Sequence, residues 1–297
     1  MKIHAMRSNT HRAACVPVIL LAAAARCAFG AEPVWIDARQ IGPFAIQATF
    51  PLAEYDRLFL ELPELQRELS RTLGLVPARR PIYVYLFADA EQYRAYQQRR
   101  FPKVPYRPAL FIWEGGAPGV YTYRKPDLDV DLRHECTHAL LHCALPVVPL
   151  WLDEGLAKYF EVPAHRRASD HPYFDDLKWK WSLRLGMVRP IESLEERDNL
   201  AELDAADYRY SWAWVHFMLH GPEPAHQTLV RYLACYQRGV PAGKLSARLN
   251  VAVPNPTEKM IQHFKHWRES GQTPPGTAQV PIKLPVPEPN PVRRVDY

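Results

Sequence analysis

Between residues 33 and 126 short β-branched and aromatic runs alternate with stretches whose apolar residues recur every three or four positions. Phe44 to Phe50 (FAIQATF) predicts a strand, and Leu52 to Leu73 predicts a helix carrying Leu58, Leu60, Leu62, Leu65, Leu69 and Leu73 among its apolar positions. Pro81 opens a second strand, Ile82 to Phe87 (IYVYLF), followed by an acidic helix start at Asp89 and an aromatic-rich helix to about Arg100. Ala109 to Trp113 and Val120 to Tyr123 flank Gly115, Gly116, Pro118 and Gly119, the signature of two antiparallel strands joined by a tight loop. After Pro126 the period becomes helical, with helices expected near 127–143, 149–161, 172–185, 207–220, 224–237 and 256–268. The pattern predicts an α+β chain: an N-terminal α/β lobe over 31–126 and a helical lobe over 127–271. Residues 272–297 hold seven of the 29 prolines, with Pro285, Pro287, Pro289 and Pro291 at alternate positions, and predict a solvated, polyproline-like tail.

Of the 297 residues, 47% are hydrophobic and 23% charged, which excludes an intrinsically disordered chain. The net charge of +5 would suggest a polyanion partner, but Lys2, Arg7, Arg12 and Arg26 all fall in the first 30 residues, where there is no acid. The 37 basic side chains less these four leave 33 against 32 acidic ones, so no nucleic-acid partner is expected. The same 30 residues have the form of a secretory signal: a basic stretch, an apolar run from Ala13 to Ala25, then small residues at Ala28 and Gly30. The run is too short for the ~20 residues of a membrane-spanning helix, and Arg26 before Cys27 argues against lipid attachment. An exported protein, periplasmic or extracellular, without a transmembrane segment is expected. Beyond the signal remain Cys136, Cys143 and Cys235, either as small buried thiols or with Cys235 bridged to one of the others.

The chemistry concentrates in Asp127 to Leu145, DLDVDLRHECTHALLHCAL. His134, Glu135 and His138 form H-E-x-x-H, and on a helix positions i and i+4 lie one above the other, so both imidazoles reach one metal ion. Glu135, offset by ~100° around the axis, stands beside the metal, where a base for an attacking water must be. A metzincin would need Gly at 141 and His at 144, where this chain has Leu141 and Ala144. His142 lies ~12 Å along the helix from His134, too far to share its metal, and Cys136 points ~200° away, into the protein.

A third ligand is expected in Pro149 to Glu161, PLWLDEGLAKYFE. Glu154 stands among Trp151, Leu152 and Leu156, a setting that a carboxylate tolerates only with a strong partner such as a divalent metal. Gly155 and Ala157 allow another helix to come close. Glu161, seven residues on and on nearly the same face, can accept the free N–H of a ligand histidine, as can Asp153. Three protein ligands with one position open is the catalytic zinc pattern, so about one Zn2+ per chain is expected.

HECTH followed by WLDEGLAKYFE resembles the gluzincins, zinc peptidases of the MA-like clan whose helix-borne HExxH is completed by a Glu on the next helix, and more closely a little-characterised group of exported bacterial proteins with a peptidase-like domain. The resemblance spans roughly 44 to 235. It implies a zincin-like fold: a small mixed sheet with helices, then a helical lobe, with the active-site helix between them. It further implies a metallopeptidase acting on peptides or proteins, with zinc held by His134, His138 and Glu154, and Glu135 as catalytic base. In the segment DYRYSWAWVHFMLH it points to Tyr208 as the oxyanion-stabilising group, with Tyr210 and His216 behind it. It assigns Val120, Tyr121 and Thr122 to an edge strand that lays out the substrate. Two other readings stay open: an exported zincin-fold binding or assembly protein without catalysis, and a zinc amide or ester hydrolase acting on cell-envelope material.

Overall fold

The computed structural model describes residues 32–181 and 188–270. The export signal expected over 1–30, the tail over 272–297 and the end of the helix expected over 172–185 lie outside the described residues.

Five strands form one mixed sheet: β1 (Asp37–Ile41), β2 (Phe44–Ala48), β3 (Ile82–Phe87), β4 (Ala109–Glu114) and β5 (Ala117–Tyr123), in the order β1-β2-β3-β5-β4. The three inner strands run parallel, and β1 and β4 pair antiparallel on the outside. Parallel neighbours need a crossover, which α1 (Asp56–Leu73) supplies between β2 and β3, while α2 (Ala90–Arg100) follows β3. The two-residue period of a strand separates the faces. Ile82, Val84, Leu86 and Val120 enter the main core, whereas Phe87 and Tyr121 join Tyr93, Phe101 and Leu110 on the other face.

The β4–β5 hairpin decides which strand is outermost. Glu114 pairs with Ala117, so the turn is the two residues Gly115 and Gly116, both at positive φ (57° and 81°), which glycine adopts without steric cost. The hairpin folds back so that β5 lies inside, between β3 and β4. This corrects the expectation for Val120, Tyr121 and Thr122: they are buried in an inner strand whose two edges are already paired, and they offer no edge to a substrate. The outer edge next to the helical lobe belongs to β4.

Helices follow: α3 (Leu128–Ala144), α4 (Leu150–Phe160), α5 (Ala164–Arg167), α6 (Tyr173–Trp181), α7 (Ile191–Leu194), α8 (Ala205–His220), α9 (Glu223–Gln237), α10 (Leu245–Ala252) and α11 (Pro256–Ser270). The α+β class expected from the sequence holds. One apolar core extends from Phe44 in the sheet to Trp267 on α11, and α3 packs against α1, β4, β5 and α4 within it. The most extensive helix pairing among the described residues is α4 with α8, and Gly155 makes it possible. A Cβ there would stand 2.7 Å from the Ser211 carbonyl oxygen and 2.9 Å from Val215 Cγ2. α8 itself starts on a capping box between Asp204 and Asp207, to both of which Arg189 is ion-paired.

Candidate metal centre

Neighbouring helices supply the two halves of the site. On α3 the i, i+4 spacing stacks His134 and His138 on one face, and their Nε2 atoms lie 3.2 Å apart. On α4, buried Trp151, Leu152 and Leu156 fix the helix in the core, so Glu154 is presented to the histidines from a buried position. Glu154 Oε2 is 3.6 Å from His134 Nε2 and 3.8 Å from His138 Nε2. Among the described residues this trio is the group of His, Cys, Asp or Glu side chains placed to hold a metal ion.

The far side of each imidazole is fixed by a different carboxylate. His134 Nδ1 lies 3.0 Å from Glu161 Oε2, and His138 Nδ1 lies 2.9 Å from Asp153 Oδ1. With each Nδ1 directed at a carboxylate, the two Nε2 lone pairs face each other, an arrangement that only a proton or a cation between them relieves. Charge points the same way. Burial alone would pull both histidines down, but Glu154 and Glu161 hold His134 above its ordinary value, and Asp153, with Glu154 and Glu135 behind it, lifts His138 to about 10. Glu154 is held below the ordinary carboxylate range against its burial, by its contact with His134 and the charges of both rings. The spot between these atoms is therefore built for positive charge. Donor separations of 3.2–3.8 Å also suit a tetrahedral ion, for which ligand bonds of ~2.05 Å place donors about 3.3 Å apart. These residues fit a divalent metal.

Four carboxylates surround the histidines, and their partners distinguish them. Asp153 also meets His142 Nε2 at 3.0 Å, and Glu161 also accepts from Lys158 Nζ at 2.9 Å. Glu154 faces the two Nε2 atoms. Glu135 contacts neither imidazole's ring nitrogens and has no hydrogen-bond donor among the described residues, and its half-buried side chain lines the open cleft. Burial raises its pKa, with the neighbouring histidines opposing.

The cleft encloses about 440 Å³. Its walls are Ala109, Leu110 and Phe111 of β4, the histidines and Glu135 of α3, Asp153, Glu154 and Lys158 of α4, and Tyr208 at the start of α8. Phe111 lies nearly parallel to the His138 and His142 rings, with centroids 6.3 and 5.3 Å away. Burial, reinforced by the Glu154 charge, raises the Tyr208 phenol, while Arg107 and Lys158 oppose the rise. Tyr210 and His216 lie elsewhere, buried in the helical core, with His216 hydrogen-bonded to His263 at 3.0 Å. Cys136 is fully buried, and Cys136, Cys143 and Cys235 are all free thiols.

Three polar cleft residues, Lys158, Tyr173 and Arg107, are not among those the sequence singles out. Lys158 follows Glu154 by four positions, so helical spacing alone would have placed it on the same face. Tyr173 and Arg107 come from α6 and from the loop before β4, and no local pattern links those segments to α3.

No protein-family model matches the sequence, and no curated protein matches it. Among solved structures, a mutant of the M1 zinc metallopeptidase from Deinococcus radiodurans matches with 19% identity and a TM-score of 0.43 over 82% of this chain and 53% of that one. The unmutated enzyme matches with 19% identity and a TM-score of 0.39 over 83% and 53%, and a mutant bound to a Tyr-Ser-Ala substrate with 18% and 0.41 over 84% and 54%. The chain spans about half the length of these structures.

Proposed function

We propose that this chain is an exported zinc-dependent peptidase of the gluzincin type, with His134, His138 and Glu154 as ligands and Glu135 as general base. The observation that carries the reading is the contrast among the four carboxylates. Two are committed to orienting imidazoles and one faces the donor atoms, while Glu135 stands in the open cleft with no donor of its own. A purely structural site has ligands and no use for such a group.

Zinc, when bound, supplies the Lewis acid that polarises a substrate carbonyl and acidifies a water beside it. The remaining work falls to this chain's own side chains. Glu135 accepts the proton of the attacking water on a carboxylate oxygen and delivers it to the leaving amine, a role suited by the upward displacement that burial gives it. The Tyr208 hydroxyl, which also lines the cleft, donates to the carbonyl oxygen as negative charge develops there. Asp153 and Glu161 hold the two rings in register throughout. The free edge of β4 takes an extended peptide by strand addition, with Ala109 to Phe111 alongside the cleft.

The test is a cleavage profile of a proteome-derived peptide library, comparing the zinc-loaded protein with its Glu135→Gln variant. New termini should appear with the wild type and vanish with the variant. Equal profiles, or no cleavage by either, would defeat the reading.

A further inference from the structure

Resting on that peptidase reading, we propose that Arg107 recognises a carboxylate on the substrate, so that the preferred substrates are peptides bearing one: their own C-terminus or an acidic side chain beyond the cleaved bond.

Two cations line the cleft, Arg107 and Lys158. Lys158 is already bound to Glu161 at 2.9 Å. Arg107 is half-exposed, has no carboxylate partner among the described residues, and has the Tyr208 hydroxyl as its polar neighbour. A guanidinium left unpaired on a flexible surface loop would mean little, but this one is on a rigid mount. Gln97 Nε2 donates to the Pro105 carbonyl at 3.0 Å, the Tyr93 hydroxyl to that of Arg107 at 2.9 Å, and Thr122 Oγ1 to that of Pro108 at 3.2 Å. These three anchors, at residues 105, 107 and 108, come from side chains that are all almost wholly buried, and they fix the backbone on both sides of Arg107. The prolines at 105 and 108 further restrict it. The loop therefore presents a pre-organised fork of donors matched to a carboxylate.

Position adds a direction. Arg107 precedes β4 by two residues, at the N-terminal end of the open edge. A strand added there in the antiparallel sense brings its C-terminal end to Arg107. Recognition of the opposite, amine end would need a spare carboxylate. The three that line the cleft, Glu135, Asp153 and Glu154, are the base, the anchor of His138 and a ligand.

The test uses three N-dansylated tetrapeptides of one sequence: the free acid, its C-terminal amide, and that amide with glutamate at the third position. Binding to zinc-loaded protein is read by fluorescence anisotropy in the Glu135→Gln background, so that nothing is turned over. The free acid or the glutamate amide should bind at least about tenfold more tightly than the plain amide, the range of a charge-assisted hydrogen bond, and which of the two does so identifies the carboxylate's source. Arg107→Ala should bring the ratio to near one, and Arg107→Lys, which keeps charge but loses the fork, should leave it intermediate. A ratio near one in the parent, or a ratio that Arg107→Ala leaves unchanged, overturns the proposal. Turnover of the same probes with Glu135 intact is scored separately, so its absence falls on the peptidase reading and the binding ratio falls on Arg107.

Discussion

Gly155→Ala sets two opposing effects against each other with a known sign for each. In a helix interior alanine is better than glycine by ~1 kcal/mol, so the substitution would stabilise α4 if the residue faced open space. Here the added Cβ would stand 2.7 Å from the Ser211 carbonyl oxygen, at least 0.7 Å short of the 3.4 Å at which ordinary contact begins. The obstructing atom is backbone, held in the hydrogen-bond ladder of α8, so it cannot turn aside as a side chain would. Overpacking of a core costs about 1–3 kcal/mol, and two helical backbones in contact place this case at the upper end. The net expectation is a loss of about 2 kcal/mol, or ~4–8 °C in Tm. Because Glu154 is the adjoining residue, moving α4 away from α8 also shifts a proposed metal ligand, and the stabilisation gained on adding zinc should shrink. Urea unfolding with EDTA, then with zinc, measures both. A variant as stable as the wild type or more so would show that the helices do not meet through Gly155, and that the position of Glu154 does not depend on their contact.

Asp153→Asn and Glu161→Gln each remove the negative charge behind one ligand histidine, and each should lower zinc affinity about 10- to 100-fold in competition with a chromophoric chelator. Unchanged affinity in both would mean that the rings are oriented by packing alone. Burial holds His263 down to about 3, with His220 and His266 adding to the effect, whereas in the unfolded chain a histidine titrates near 6.5. The unfolded state thus gains the proton first as pH falls: the contribution of His263 is complete above about 6.5 and is lost toward 3, at about 1.4 kcal/mol per pH unit. In zinc-free protein, His263→Gln should flatten the fall of urea stability between pH 6 and 4 by that amount, and an unaltered slope would contradict the burial of His263 against His216.

The candidate metal site was legible because its logic is local. His134, Glu135 and His138 follow from helical spacing, and Glu154 from the improbability of a lone carboxylate among Trp151, Leu152 and Leu156. Asp153 and Glu161 were legible as a pair of choices, and the structure uses both, one for each ring. What escaped was non-local. A hairpin pattern gives two strands but not which one lies outside, so the sheet edge was assigned to Val120, Tyr121 and Thr122, whereas β4 is the outermost strand. Strand β1 escaped because its residues alternate only between half-buried and exposed, too weak a pattern to stand out. The short helices α5, α7 and α10 hold at most eight residues each, less than a periodic signal needs. Arg107 and Tyr173 reach the cleft only through the tertiary fold, which no single segment encodes.

The central claim, that two histidines and Glu154 hold a metal while Glu135 stands free beside it, is tested most directly by the zinc content of purified protein. About one zinc per chain should be found in the wild type and in Glu135→Gln, and Glu154→Ala should lose most of it at the same free zinc concentration. Zinc-free wild type, or full occupancy in Glu154→Ala, would contradict the account.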